Sequence, residues 1–344
     1  IHRDCEIWTS RRSRIPPLRW LIPPFLLILS FAVLAAANRR PDFAEWYART
    51  VYPVLVGTVG RVFGLVLFSA GECIIAALTV TAAVFLVKLA RRREGRGDLL
   101  RRGALGLLWI VSVILLLYAF HCGINYHRRP FSSLAGLAVR PSSAEELAAL
   151  EEDLILTANG LSEGLSAEFS LERGGVTTAL SVSPWELSKR AADVMRTLGR
   201  IYPELDGYYP RTKPVLLSRG MSMLDITGVY YPPTIEANIN VDVPANNIAA
   251  TACHELSHLR GFMREDEANF IAYLACRESG DPEFHYSGAM LALAHVRNAL
   301  RRADRALSDG LDERMNERVH ADFAQNSEYW SRFEGPVSTV SQAV

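Results

Sequence analysis

Three stretches of this chain have no polar face. "WLIPPFLLILSFAVLAAA" (20–37), "CIIAALTVTAAVFLVKLA" (73–90) and "ALGLLWIVSVILLLYAF" (104–120) are apolar all the way round, and Lys88 is the one charge among them. About 20 such residues in a helix cross a hydrocarbon layer of ~30 Å, and in lipid the backbone must satisfy its own hydrogen bonds, which a helix does. The runs predict three transmembrane helices in a membrane domain covering 1–125. A secretory signal peptide is the other reading of the first run. It is disfavoured because no A-x-A cleavage site leads into a soluble domain and further spans follow soon after. "VYPVLVGTVGRVFGLVLFSAG" (51–71) is also apolar but is broken by Arg61 and several glycines. We read it as interfacial or re-entrant; a full crossing there would invert the topology.

Lysine and arginine in short loops are retained on the cytoplasmic side. Arg3, Arg11, Arg12, Arg14 and Arg19 precede the first run, and "KLARRREGRGDLLRR" (88–102) joins the second to the third. Both segments are expected in the cytoplasm, so the chain after about residue 122 should lie on the opposite face. The expectation is a multi-pass protein of the cytoplasmic membrane, with the lipid bilayer as a partner and an extracytoplasmic domain over 126–344. Basic and acidic residues balance at 37 each, giving no electrostatic footprint for nucleic acid. Of the five cysteines, Cys122, Cys253 and Cys276 would lie near or beyond the outer surface, an odd set that predicts no disulfide framework. The chain opens without methionine and closes in "PVSTVSQAV", so either end is expected to be cut.

Beyond residue 140 the pattern changes. "SSAEELAALEEDLILTANGLSEGL" (142–165) starts with a serine cap and repeats leucine at helical spacing, and "SPWELSKRAADVMRTLGRIY" (183–202) does the same. "KPVLLS" (213–218) and "EANINVDVP" (236–244) are expected as short strands, with loop around the Tyr-Pro clusters of 203–235. The remainder should be almost wholly helical. The fold class is therefore α+β: transmembrane helices, then a mostly helical domain with a small sheet.

The chemistry concentrates in "CHELSHLRG" (253–261). Positions four apart share a helix face, so His254 and His258 can aim two imidazoles at one ion, with Glu255 beside it. Gly261 suits a left-handed cap ending that helix. Catalytic zinc sites use three protein ligands and keep a fourth position for water, and "REDEANFIAYLAC" offers Glu265, Asp266 and Glu267. Cys253 would point about 100° away from the histidine face and reads as a small buried residue.

In the register E-x-x-A-N, residues 265–269 resemble the glutamate helix of the gluzincin metallopeptidases. That resemblance implies a zincin-like domain in which Glu265 is the third zinc ligand and Asn269 supports a histidine ligand from behind, with Glu267 as the fallback. The spacer after His258 is much shorter than in most gluzincins, which requires a sharp reversal at Gly261. The H-x-x-G turn is shared with metzincins, but their third histidine would fall at Arg264, which cannot ligate. The apolar spans, "GVYYPPTIEANINV", "HELSHLRGFMREDEANFIAYLAC" and "FHYSG" together resemble a bacterial membrane family known as domain of unknown function 3810. This likeness implies a zinc peptidase, and relatives that extend past Val344.

The expected function is a membrane-anchored zinc metallopeptidase acting on peptides or proteins. Zn²⁺ on His254, His258 and Glu265 would lower the pKa of a water, with Glu255 as its general base. Tyr286 or His285 are positional candidates for oxyanion stabilisation, and "EANINVD" is a candidate edge strand for holding an extended substrate. The competing class is a membrane-anchored binding or regulatory protein whose zinc site is structural or inactive.

Overall fold

The computed structural model describes residues 18–92, 94–170 and 175–335. Arg3, Cys5, Arg11, Arg12, Arg14, Arg93 and the closing 336–344 stretch lie outside them. Helices α1 (Leu18–Arg39), α3 (Ala70–Arg91) and α4 (Arg96–His121) coincide with the three apolar runs, and each is long and apolar enough to cross a membrane. A shorter helix, α2 (Pro41–Thr50), follows α1. The starts of α1 and α4 lie together: the Arg101 guanidinium sits 5.6 Å from the Trp20 ring centre, and Trp109 Nε1 donates to the Arg19 carbonyl at 3.1 Å. The arginine-rich ends thus share one end of the bundle.

The 51–71 stretch forms short turns, Tyr52–Leu55, the wider Val56–Gly60 and Arg61–Gly64, none of spanning length. Their inner face is in the principal core. Tyr47, Tyr52 and Val56 join Cys122 and Ile124, just past α4, and a long series of residues from Leu187 to Phe284.

The later helices appear where capping and periodicity place them. α5 (Ala144–Ser162) opens on a Ser143/Glu146 capping box, and α6 (Pro184–Ile201) on a Ser183 cap. Then come α7 (Ala245–Leu259), α8 (Glu265–Arg277), α9 (Pro282–Ala303), α10 (Arg305–Asp312) and α11 (Glu317–Ser331). α5, α9 and α11 enclose a second core around Leu154, Ile155, Met290, Leu293 and Val319. A hairpin of β1 (Ala167–Ser170) and β2 (Gly175–Thr178), not expected from sequence, is held to α11 because Asp322 accepts from the Thr178 N–H and hydroxyl at 2.8 and 2.7 Å.

A three-stranded sheet lies under α7. Its strands are β3 (Lys213–Pro214), β4 (Gly228–Tyr231) and β5 (Glu236–Ile239), in the order β3-β5-β4, with β5 parallel to β3 and antiparallel to β4. Two expectations need correction. β5, within "EANINVD", is the central strand and cannot offer a free edge. The open edge belongs to β4, in a segment expected as loop, and the strands at 213–218 and 236–244 are shorter than expected, the former running into a short helix at Ser218–Ser222.

The sheet is bolted to the apolar helices. Glu236 of β5 is buried, pairs with the equally buried Lys213 Nζ, and accepts from the Ala70 and Gly71 N–H groups at 3.2 and 2.9 Å. A carboxylate at a helix N-terminus meets free N–H groups and the positive end of the helix dipole, so Glu236 caps α3. On the other side, the Tyr230 hydroxyl of β4 donates to the His121 carbonyl at the end of α4 (3.0 Å).

A fragment starting at residue 126 therefore lacks Tyr47, Tyr52, Val56 and Ile124 of the principal core. Burial of such side chains contributes about 1.5–3 kcal/mol each, and their sum is of the order of a whole domain's stability, ~5–15 kcal/mol. The fragment should show no cooperative thermal unfolding by circular dichroism, whereas the full chain in detergent should. A sharp melt of the fragment would mean that its core is complete without those residues.

Candidate functional site

Helix α7 carries His254 and His258 one turn apart, with ring centres 4.6 Å apart and planes at 90°. Small residues on its other faces, Ala249, Ala252 and Cys253, let neighbouring elements pack closely, and all three are buried. The helix ends where Gly261 takes a φ of 91°, a left-handed conformation that a side chain resists. A Cβ there would also stand 3.2 Å from the Tyr52 ring. The reversal turns the Phe262 carbonyl back onto His258 Nδ1 at 2.9 Å and starts α8 at Glu265. Its carboxylate returns to the histidines: Oε2 is 3.1 Å from His254 Nε2 and Oε1 is 3.4 Å from His258 Nε2.

The donor pattern makes this cluster unusual. A neutral imidazole carries one hydrogen, and a carbonyl only accepts, so His258 must place its hydrogen on Nδ1. Nε2 then presents a lone pair, yet it faces a carboxylate. His254 repeats the arrangement, with Nδ1 2.8 Å from Asn269 Oδ1 and Nε2 toward Glu265. Two charged imidazoliums in ring contact would repel each other. A cation between the three groups resolves the conflict, because every Nε2 and carboxylate oxygen then points a lone pair at positive charge.

The dimensions fit. Ligand bonds of about 2.0–2.1 Å in a tetrahedron give ligand–ligand edges of roughly 3.3 Å, and the two His–Glu separations are 3.1 and 3.4 Å. One ligand atom from each of His254, His258 and Glu265 can be chosen with all three within 4.8 Å of one another. The imidazoles hold the Glu265 carboxyl well below the usual carboxylate range, His254 first and then His258. Burial works to lower the pKa of His258, but the Glu265 and Glu255 carboxylates outweigh it and the pKa is raised.

Glu255 lies beside this cluster on the same helix, buried, and its Oε2 has no hydrogen-bond partner among the described residues. Burial pushes its pKa up, against the opposing pull of the His254 and His258 rings. The backbone of Tyr230 on β4 also favours its charged form, as the smallest of these influences. Gly228, two residues earlier on the strand, leaves the space Glu255 fills: a Cβ there would lie 2.5 Å from Oε1. Asn240 donates its backbone N–H to the Thr227 carbonyl at 2.9 Å, which fixes the alternation of the β4–β5 ladder. Gly228 and Tyr230 consequently turn their backbone groups to the open edge of β4.

That edge borders a cleft of about 740 Å³ whose floor is His254, Glu255, His258, Glu265 and Asn269. Of the residues singled out from sequence, those five come together, while Glu267 does not. It accepts from the Phe131 N–H at 2.8 Å and from Arg264 at 2.6 Å, on another side of α8. Tyr286 is also elsewhere. It is buried in the second core and donates to Asp322 Oδ2 at 2.6 Å, so the sequence expectation of an oxyanion role is corrected, and its neighbour His285 does not line the cleft either. Sequence reasoning missed Tyr126, which stands in the cleft wall with Glu265 as an electrostatic neighbour and a pKa pushed up to about 12, mainly by burial. Its one sequence signal was an aromatic six residues past the end of an apolar run. Trp330, Asn326 and Asn247 also line the cleft, and the last two are joined by a 2.7 Å hydrogen bond.

The profile of a family described as a protein of unknown function (DUF3810) matches residues 47–344, and the chain belongs to that family. No curated protein and no solved structure matches the chain.

With zinc as the probe, the full chain should bind one equivalent. Glu265→Ala should weaken binding far more than Glu267→Ala, which should leave it unchanged, and Asn269→Ala should cost ~10–100-fold through loss of ring orientation. Equal zinc affinity in wild type and Glu265→Ala, measured by competition with a chelating dye, would remove Glu265 from the cluster.

Proposed function

We propose that this member of the family is a membrane-anchored zinc metallopeptidase with a zincin-like domain held outside the cytoplasmic membrane. The observation that carries the reading is the convergence of His254, His258 and Glu265 next to a buried, half-unpartnered Glu255 at the edge of a strand-lined cleft. A site that only stabilised the fold would have no use for a buried carboxylate with a free oxygen facing the same floor.

His254, His258 and Glu265 would hold Zn²⁺, which when bound acidifies a water and polarises the substrate carbonyl. The chain's own residues do the rest. Asn269 and the Phe262 carbonyl fix both imidazoles with Nε2 toward the cleft. Glu255 accepts a proton at Oε2 from the attacking water and delivers it to the departing amine; its raised pKa helps it hold that proton between the two steps. The open edge of β4 can hold an extended polypeptide through the backbone groups of Gly228 and Tyr230, so the strand that positions Glu255 also positions the scissile bond. Tyr126, which also lines the cleft, is the hydroxyl we assign to a developing oxyanion, the task earlier expected of Tyr286 or His285.

The orientation rests on charge. Arg19, Arg91, Arg92, Arg96, Arg101 and Arg102 belong to the end of the bundle away from the cleft, and retention of these residues in the cytoplasm puts the cleft outside.

Full-length protein in vesicles, incubated with a peptide library, should yield cleavage that a zinc chelator abolishes. Glu255→Gln should keep its zinc and lose ~10²–10⁴-fold in rate. Tyr126→Phe should also keep zinc and lose on the order of 10²-fold in kcat. Wild-type protein with a full zinc complement and no cleavage of any peptide would instead favour a binding or regulatory role.

A further inference from the structure

A second surface stands apart from the cleft. Leu65, Leu67 and Phe68 are 78, 56 and 52% exposed and directly precede Ser69, which caps the start of α3. Leu216 and Leu217, far away in sequence, are 84 and 71% exposed. Their backbone N–H groups donate to the two carboxylate oxygens of Glu72, in the first turn of α3, at 3.0 and 2.9 Å. The five side chains therefore form a collar around the foot of α3. It is not a frayed loop, because Glu72 pins the backbone while the leucines face outward.

Isolated exposed leucines are ordinary, but a fixed apolar cluster at one spot marks a contact surface. The occupant follows from continuity. None of the most apolar window of α3 is buried within the molecule, so whatever medium surrounds that 22-residue helix also reaches the collar at its foot.

We propose that this collar is a lipid-contacting shoulder: Leu65, Leu67, Phe68, Leu216 and Leu217 lie in the bilayer interface beside α3, at the depth where acyl chains meet headgroups. The assignment rests on α3 crossing a bilayer and is independent of the hydrolytic reading. It also fixes the height of the cleft. Leu217 leads through the short Ser218–Ser222 helix and the exposed Met223 into Ile226 and β4, so the open strand edge is joined to the collar by one short connection. A polypeptide reaching that edge is taken at the membrane surface.

The test places a reporter on the collar of the full chain. Leu216→Trp and, separately, Leu67→Trp are reconstituted in phosphatidylcholine vesicles with acyl chains brominated near the carbonyl end; Leu307→Trp on α10 is the control. The emission added over unsubstituted protein should be shifted to the blue and fall roughly twofold in brominated vesicles, as expected for an interfacial depth of ~5–10 Å, with little loss to acrylamide. The control should behave oppositely. Collar tryptophans quenched by acrylamide and not by bromine would place the surface in water, and protection from both would mean a protein neighbour such as a second copy. Either result overturns the proposal.

Discussion

Each imidazole of the His254–His258 pair is held at Nδ1 by an oxygen, 2.8 Å from Asn269 and 2.9 Å from Phe262. A ring so held has one face of chemistry left, the Nε2 lone pair, and both lone pairs point at one carboxylate. Everything else about the site follows from keeping that unfavourable meeting in place. In water the three groups would separate. Here the histidines cannot turn away without breaking their Nδ1 contacts, and the first turn of α8 sets the Glu265 backbone beside them.

The reversal at Gly261 is what makes the meeting short enough. It turns the chain between His258 and Glu265 without a long connecting segment. The turn is clamped from outside by residues far upstream in the sequence. Tyr52 stacks against Gly261, and its hydroxyl lies 3.0 Å from the Leu259 carbonyl. The buried Arg128 lies over the Phe262 ring, 4.0 Å from its centre, and its charge is offset by Glu45 of α2. A buried guanidinium needs such a partner. The chain therefore uses α2, Tyr52 and the segment after α4 to hold the turn, which explains why Tyr52 and Val56 of the apolar 51–71 stretch belong to the principal core.

Local signals in the sequence carried their elements faithfully. Serine caps and 3.6-residue periodicity located α5 and α6, the uniform apolarity of α1, α3 and α4 needed no partner to be read, and the i, i+4 spacing put both histidines on one face. What escaped was set by contacts distant in sequence. β4 reads as loop because Tyr-Tyr-Pro-Pro breaks its pattern, and it becomes a strand only through pairing with β5. β5 looks like an edge strand in isolation, and the two-residue β3 that makes it central is too short to announce itself. Tyr286 and Tyr126 are indistinguishable as letters. Asp322, on α11, takes the first into the second core, and the end of α4 delivers the second to the cleft wall. The choice between Glu265 and Glu267 likewise turned on the Phe131 N–H, more than a hundred residues upstream, which captures Glu267.

The same long-range bonds tie the cleft to the apolar bundle. The Tyr52 and Tyr230 hydroxyls are 3.0 Å apart, the His121 carbonyl ending α4 is 3.0 Å from Tyr230, and Glu236 caps α3 from the strand paired with β4. β4 is thus fixed at one edge by β5, at its tyrosine by α4, and through β5 by α3, while its other edge faces Glu255. A strand held at so many points resists displacement toward the cleft, so Glu255 meets a wall of constant position. The consequence is that β4 does not move independently of the helices, because the Glu236 cap ties it through β5 to α3 and the Tyr230 hydroxyl ties it to α4. The fold therefore makes the spacing between Glu255 and the open strand edge a property of the bundle's geometry as much as of the domain that carries the histidines.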